Sequence, residues 1–331
     1  MVHRAARLFT LGSIAFFAGC GGGDGGAPSA VAALSSAPAI EAPAPLASLS
    51  TSSSAPAAAP SASARTETDA AAKAPAVMFE VEQAGQKSWV FGTMHIGIDA
   101  EKVLPPIVFD RLDHATVVVF EANVFEISPT DVIGAATMPP GKSVKTQLAP
   151  GHWKLLVDRV GGMLMPEATL EKFRPWFLAT LLAADMLPKT DPMDKVLWDR
   201  VSGTGKKIEY LETVDEQLQM IDKSLDAKVL DDMLGDLPAA EKQVTDLAAA
   251  YQAGDLVKLT TVTFDPDDMK KHPAMFDVML FDRNARWMGK LEPLGKKGNM
   301  FVAVGAAHLL GDKGIIHRLE EAGFKTTRIE R

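Results

Sequence analysis

The chain has 331 residues, a formal net charge of −8 and a single cysteine. One cysteine excludes an intrachain disulfide and a zinc site built from several thiolates. The acidic balance argues against a nucleic-acid partner, which would require a basic surface.

Residues 1–19 are predicted to form a secretory signal peptide. Two arginines precede an apolar stretch, residues 8–18, and the small residue Gly19 lies directly before Cys20. This order is typical of bacterial lipoproteins, so we predict a lipid on Cys20 that anchors the protein to a membrane of the cell envelope, either the outer membrane or the periplasmic side of another membrane. A free cysteine in an ordinary signal peptide is the alternative.

Residues 20–76 are predicted to be a disordered tether. Alanine, serine, proline and glycine dominate this segment, and no aromatic residue occurs between Phe17 and Phe79. Such a composition cannot bury enough apolar surface to order itself. The tether would hold the following domain away from the membrane.

Residues 77–331 are predicted to form one α/β domain that begins with a β-hairpin. Residues 77–82 and 88–92 read as strands, with Gly85 in the turn between them. A helix with prolines in its first turn follows, and then a strand over residues 116–120. The order strand, helix, strand predicts a parallel crossover.

The remainder of this domain is predicted to add a helical insertion and the last strands of the sheet. Apolar spacing predicts helices over residues 176–187, 192–203 and 225–252, with one short strand over residues 207–212. The last unit is a strand over residues 300–305, a helix over 312–322 and an edge strand over 324–329. We therefore expect a mixed sheet whose cleft is covered by the helical insertion.

The tetrapeptide Gly-x-x-His occurs twice, ending in His95 and in His308, each time directly after a predicted buried strand. We expect each glycine to let the backbone turn and to deliver the imidazole to the carboxyl ends of the strands. Glu121 directly follows a third strand. Two imidazoles and a carboxylate form a ligand set for a divalent metal ion. Alternatively, the histidines are packing residues and Glu121 caps the next turn.

Five motifs follow one another along the chain: Gly92-Thr93-Met94-His95-Ile96-Gly97, Phe120-Glu121, Leu211-Glu212-Thr213 with Glu216-Gln217, Arg283-Asn284 with Met288, and Val304-Gly305-Ala306-Ala307-His308-Leu309 with Gly311 and Gly314. Together they resemble the TraB/GumN family, which includes the Tiki-type metalloproteases, over essentially the whole predicted domain. The resemblance implies a divalent-metal site formed by His95, Glu121 and His308. It also implies a fold similar to that of the erythromycin-esterase and ChaN-like proteins.

A metal ion held in this way would keep a position open for water and lower the pKa of that water from about 16 toward roughly 7. Manganese, cobalt and zinc all suit such ligands. Arg283, Asn284 and Glu212 are the predicted catalytic residues. Arg283 would stabilise a developing oxyanion or hold a substrate carboxylate, or it pairs with an aspartate on a helix surface. Glu212 would be a general base, a further ligand or a residue that orients a ligand, or it only begins a helix.

These features predict a metal-dependent hydrolase of the cell envelope, similar to a peptidase, which acts on a peptide or protein. One alternative is a non-catalytic lipoprotein that binds a peptide, a metal or haem. The other is an esterase that uses a histidine base without metal.

Overall fold

A computed structural model describes residues 76–161 and 165–329 of the protein. The predicted signal peptide, Cys20 and the predicted tether before residue 76 lie outside the described residues. Within the described ranges, no helix is long and apolar enough to cross a membrane.

The domain is built on one six-stranded mixed sheet with the strand order β4-β3-β5-β2-β1-β6. The strands are β1 (Met78–Gln83), β2 (Gln86–Thr93), β3 (Val117–Phe120), β4 (Lys207–Tyr210), β5 (Met300–Gly305) and β6 (Lys325–Arg328). Strands β2, β5, β3 and β4 are parallel neighbours, whereas β1 runs antiparallel to both β2 and β6. The predicted α/β class, the N-terminal hairpin and the edge position of the last strand are confirmed.

Helices fill most of the remaining chain, and those between β3 and β5 form the predicted insertion. They are α1 (Ala100–Val103), α2 (Pro106–His114), α3 (Pro129–Ala136), α4 (Pro150–Val160), α5 (Glu167–Leu170), α6 (Pro175–Asp185), α7 (Met193–Val201), α8 (Val214–Ser224), α9 (Ala227–Gly235), α10 (Leu237–Gln252), α11 (Leu256–Thr263), α12 (Pro266–Lys271), α13 (Pro273–Phe276), α14 (Asp282–Lys297) and α15 (Ile315–Glu321). A π-helix (Asp277–Phe281) joins α13 to α14, and a 3₁₀ turn (Ala306–Leu309) follows β5.

One predicted helix is wrong, because residues 225–252 form two helices instead of one. Helix α9 ends at Gly235 and α10 begins at Leu237. The Asp236 side chain accepts a hydrogen bond from the backbone N–H of Ala239, and Pro238 has no N–H to continue the preceding helix. The helix predicted from residue 312 likewise begins later, at Ile315, because a Gly311–Gly314 turn precedes it.

Two apolar clusters meet at the carboxyl ends of the parallel strands. The first surrounds the sheet and the second fills the helical insertion. Phe120 belongs to the first cluster and Ala122 to the second. Likewise, Ala306 belongs to the first cluster and Ala307 packs against the second. Glu121 therefore lies on the boundary between the clusters, where the insertion covers the sheet as predicted.

Candidate active site

The two Gly-x-x-His motifs pack directly against each other. A Cβ atom on Gly92 would lie 2.8 Å from the Cα of Ala306, and a Cβ on Gly305 would lie 3.1 Å from His95 Nε2. Neither glycine has a positive φ. The predicted reason for these glycines, backbone freedom, is therefore wrong, and close approach is the reason that the structure gives.

His95 is fully buried and is held by an aspartate. Its Nδ1 lies 2.5 Å from Oδ2 of Asp194 on α7, and the other carboxylate oxygen accepts a hydrogen bond of 2.9 Å from the Thr93 hydroxyl. Because an ionised carboxylate only accepts hydrogen bonds, the proton lies on Nδ1 of His95 and Nε2 is the basic end of the neutral ring. Burial lowers the pKa of His95, but the charge and hydrogen bond of Asp194 outweigh it and raise this pKa above its ordinary value.

Glu121 lies between the two histidines. Its Oε1 accepts a hydrogen bond of 2.8 Å from the backbone N–H of Gly305 and is 3.9 Å from His95 Nε2 and 3.8 Å from His308 Nε2. Burial raises the pKa of Glu121, but the charge of Arg283, together with the two neighbouring imidazoles and the backbone N–H of Gly305, outweighs burial and lowers it to about 2. The carboxylate is therefore ionised at neutral pH.

Arg283 uses all of its N–H groups within the protein. Its Nε and Nη2 donate to Glu212 at 3.2 and 2.6 Å, and Nη2 also donates to Glu121 at 2.6 Å. Its Nη1 donates to His308 Nε2 at 3.0 Å and to the carbonyl oxygen of Met279 at 3.1 Å. A guanidinium has five N–H donors, and these contacts engage all five. The predicted contact with an oxyanion would therefore require one of these bonds to break.

His308 is held at both ring nitrogens. Its Nδ1 donates to Asn284 Oδ1 at 2.7 Å, while Nε2 accepts from Arg283. The Asn284 amide in turn donates to the carbonyl oxygens of His308 and Lys313 at 3.2 and 3.0 Å. Burial and the charge of Arg283 lower the pKa of His308 to about 3. His308 is therefore neutral, and Asn284 orients its ring.

Glu212 is a partner of Arg283 beyond the end of β4. Its backbone N–H donates to the carbonyl oxygen of Glu121 at 2.9 Å, and its side chain accepts a bond of 3.2 Å from the indole N–H of Trp287. Burial raises the pKa of Glu212 against the opposing charge of Arg283. These contacts support a role for Glu212 in positioning Arg283.

The predicted metal ligands converge, but they do not form a ready ligand set. Glu121 Oε1 lies within 3.9 Å of both imidazoles, whereas the Nε2 lone pair of His308 accepts a hydrogen bond from Arg283. In the part of the chain that the structure describes, no three His, Cys, Asp or Glu side chains are arranged to hold a metal ion. As they are placed, these residues do not fit a bound metal ion, and the metal site stays a prediction.

Two residues of this site had no role in the sequence analysis. Asp194 shares the buried face of α7 with Leu197 and Val201, so an acid at helical spacing on an apolar face was an available signal. Gln217 is 1% exposed on α8 and donates to Glu121 Oε2 at 3.2 Å. It lies within a family motif, but the motif does not indicate what it contacts.

Comparison with known proteins agrees with the resemblance seen in the motifs. The sequence model of the TraB/PrgY/gumN family matches residues 77–328. This range contains every strand of the sheet and every residue of the candidate site. Searches of curated proteins and of solved structures find no match. Since the family match spans most of the chain, from the first strand to the last, this protein belongs to the TraB/PrgY/gumN family.

Proposed function

We propose that this protein is a hydrolase of the cell envelope that cleaves amide or ester bonds in a peptide or protein. The observation that carries the proposal is the line Asp194–His95–Glu121 at the carboxyl ends of the strands. An imidazole that is fixed by a carboxylate at Nδ1 and faces an ionised carboxylate at Nε2 is suited to proton transfer.

The 3.9 Å between His95 Nε2 and Glu121 Oε1 is too long for a hydrogen bond, and one water molecule with two bonds of about 2.8 Å would bridge it. In the proposed reaction, this water attacks the substrate carbonyl carbon while Nε2 of neutral His95 accepts its proton. Asp194 stabilises the imidazolium that forms, which then gives the proton to the leaving nitrogen or oxygen. Arg283 keeps Glu121 ionised without touching the substrate.

The burial of these groups sets a condition on the proposal. His95 and His308 have no exposed surface, and Glu121 is 2% exposed. A substrate would therefore reach them only if the helical insertion moves relative to the sheet. Opening for the substrate and closing again over it is common in enzymes whose active sites exclude bulk water.

Metal dependence is the second candidate, and the balance of buried charge favours it. Three acids of the cluster are buried, Asp194, Glu121 and Glu212, and its one buried arginine, Arg283, contacts only Glu121 and Glu212. A divalent manganese, cobalt or zinc ion would offset the excess negative charge of these buried carboxylates. His95, Glu121 and, once Arg283 leaves its Nε2, His308 would hold the ion. It would supply Lewis-acid polarisation of a carbonyl group and activation of water.

A non-catalytic binding protein is the remaining alternative, and the complete burial of the cluster favours it.

Cleavage of acetylated peptides and of matched esters by the full-length protein separates the hydrolase from the binding protein. We expect cleavage that His95→Ala abolishes and that His317→Ala, a half-buried control on α15, leaves unchanged. Absence of cleavage of both substrate classes would refute the hydrolase.

Metal content decides between the two catalytic versions. Elemental analysis and assay with a chelator on the same preparation should show no stoichiometric metal and full activity if His95 acts alone. One metal ion per chain, lost together with activity in a His95→Ala, His308→Ala variant, would instead establish the metal-dependent version.

The proposed location is tested separately. Radiolabelled palmitate should enter the wild-type protein in cells and should not enter a Cys20→Ser variant. Equal labelling of the two proteins would refute the lipid anchor on Cys20.

A further inference from the structure

Gln217 brings an unsatisfied acceptor to the candidate site. It lies in the first turns of α8, behind a capping box formed by Thr213 and Glu216, and is 1% exposed. Its Nε2 donates to Glu121 Oε2 at 3.2 Å. Its Oε1 finds no hydrogen-bond donor among the described residues.

The orientation of this amide follows from its neighbour. Glu121 is ionised and accepts on both oxygens, so only the NH₂ group of Gln217 can face it. Rotating the amide by 180° would place two oxygens against each other and leave a carboxylate lone pair unsatisfied. The carbonyl oxygen of Gln217 is therefore fixed in the position that has no donor.

A buried carbonyl without a donor is unfavourable, and native proteins retain few of them. The neighbouring donors that the structure describes are already engaged, namely all N–H groups of Arg283, Nδ1 of His308 and the backbone N–H of Gly305, and Nε2 of neutral His95 carries no proton to donate. Because no donor for Gln217 remains among the described residues, a molecule that enters the site is the expected source of one.

We propose that Oε1 of Gln217 accepts a hydrogen bond from an N–H group of the substrate and so selects amide bonds over esters. This inference deepens the proposed hydrolase function and depends on the same site. A peptide amide offers an N–H donor beside the carbonyl carbon that is attacked, whereas an ester offers only acceptor oxygens at that position. A site built around a substrate donor discriminates strongly against an analogue that lacks it, because the acceptor is left unpaired.

The test compares binding as well as cleavage. The probes are a pooled library of acetylated hexapeptides and the same library with the central amide N–H replaced by an ester oxygen. Dissociation constants and cleavage rates are measured for the full-length wild-type protein and for Gln217→Met, which keeps the side-chain length and removes the acceptor. We expect the wild type to prefer the amide library by about tenfold or more, and Gln217→Met to lose this preference.

Gln243 on α10 supplies a matched control. It is 4% exposed, its Nε2 donates to the carboxylate of Asp268 at 3.2 Å, and its Oε1 also lacks a donor among the described residues. It differs in lining a pocket of about 190 Å³, which has room for water. Gln243→Met should therefore retain the amide preference. If Gln217→Met does not fold, Gln217→Asn, which withdraws the carbonyl by one methylene, should lower the same preference.

The outcomes separate this inference from the proposed function. An amide-to-ester ratio that is unchanged in Gln217→Met overturns the inference even if cleavage is observed, and it means that Oε1 binds only water. A binding preference that disappears in Gln217→Met without any cleavage upholds the inference and refutes the hydrolase. Absence of both binding and cleavage refutes both.

Discussion

Replacing Asp194 by asparagine removes the charge beside His95 and leaves the side-chain shape almost unchanged. The new carbonyl oxygen would still accept the bond from His95 Nδ1, and the new NH₂ group would donate to the Thr93 hydroxyl, which can rotate to accept it. The variant therefore isolates the effect of charge. Hydrogen bonds to charged groups contribute about 1.5–3 kcal/mol and neutral ones about 0.5–1.5, so we expect a loss of about 1–1.5 kcal/mol in the free energy of unfolding.

The pH dependence of that loss follows from the pKa of His95, which is raised above its unfolded value near 6.5. A raised histidine pKa contributes stability that is fully present below about pH 6.5 and is lost as the pH rises through the folded-state pKa. Asp194→Asn should therefore destabilise the protein more at pH 6 than at pH 9. In the proposed reaction neutral His95 is required, so the rise of the rate with pH should move to lower pH in the variant.

Urea unfolding of the wild type, Asp194→Asn and Asp199→Asn at both pH values provides the assay. Asp199 lies on the same helix, is 51% exposed and pairs with Lys195 at 2.5 Å. Its replacement should change the free energy of unfolding by less than about 0.5 kcal/mol at either pH. An equal loss for Asp194→Asn at pH 6 and pH 9 would refute the conclusion that the charge of Asp194 raises the pKa of His95.

Three further predictions address the rest of the cluster. Arg283→Met leaves two buried carboxylates without their buried cation and should lower the free energy of unfolding by about 3–5 kcal/mol. Arg286 lies 3.7 Å from Glu212 with 57% of its side chain exposed, so Arg286→Met should lower this free energy by less than about 0.5 kcal/mol in the same urea titration. Similar losses would contradict the role of the buried arginine. Gly305→Ala would place a methyl group 3.1 Å from Nε2 of His95 and should abolish hydrolysis. The control Gly289→Ala, in open space on α14, should keep activity and raise the melting temperature. An active Gly305→Ala enzyme would exclude the proposed water position. The wild type should lose stability as the pH falls from 6.5 toward 3, because His308 takes up a proton in the unfolded chain but stays neutral in the folded protein, where its pKa is about 3. His308→Gln should flatten this pH dependence of the free energy of unfolding. An unchanged slope would contradict a neutral buried ring.

The strands and the meeting of His95, Glu121 and His308 were predictable from sequence. Buried apolar runs that end in glycine or an acid identify parallel strands, and the carboxyl ends of parallel strands share one end of a sheet. Asp194 and Gln217 were not predicted to join the site, because they lie 99 and 96 residues away in sequence from their partners, on helices whose position depends on tertiary packing.

The role of Arg283 was also beyond sequence reasoning. Its motif indicates a cation, but the use of every N–H group by neighbouring residues is a property of the folded arrangement. The glycines of the two histidine motifs show the same limit. The space that these glycines leave for Ala306 and His95 can be recognised only in the folded protein, where β2 and β5 lie side by side.

The antiparallel position of β1 between β2 and β6 affects how the protein can be labelled. Met78, at the start of β1, pairs with Phe91 near the carboxyl end of β2, and Arg328, at the end of β6, pairs with Phe79. Both ends of the domain therefore leave the sheet on the side that carries the candidate site. An affinity tag or fluorescent protein fused closely to either end would crowd that side, whereas a small epitope in the Ala84-Gly85 turn would project from the opposite side and leave substrate access open.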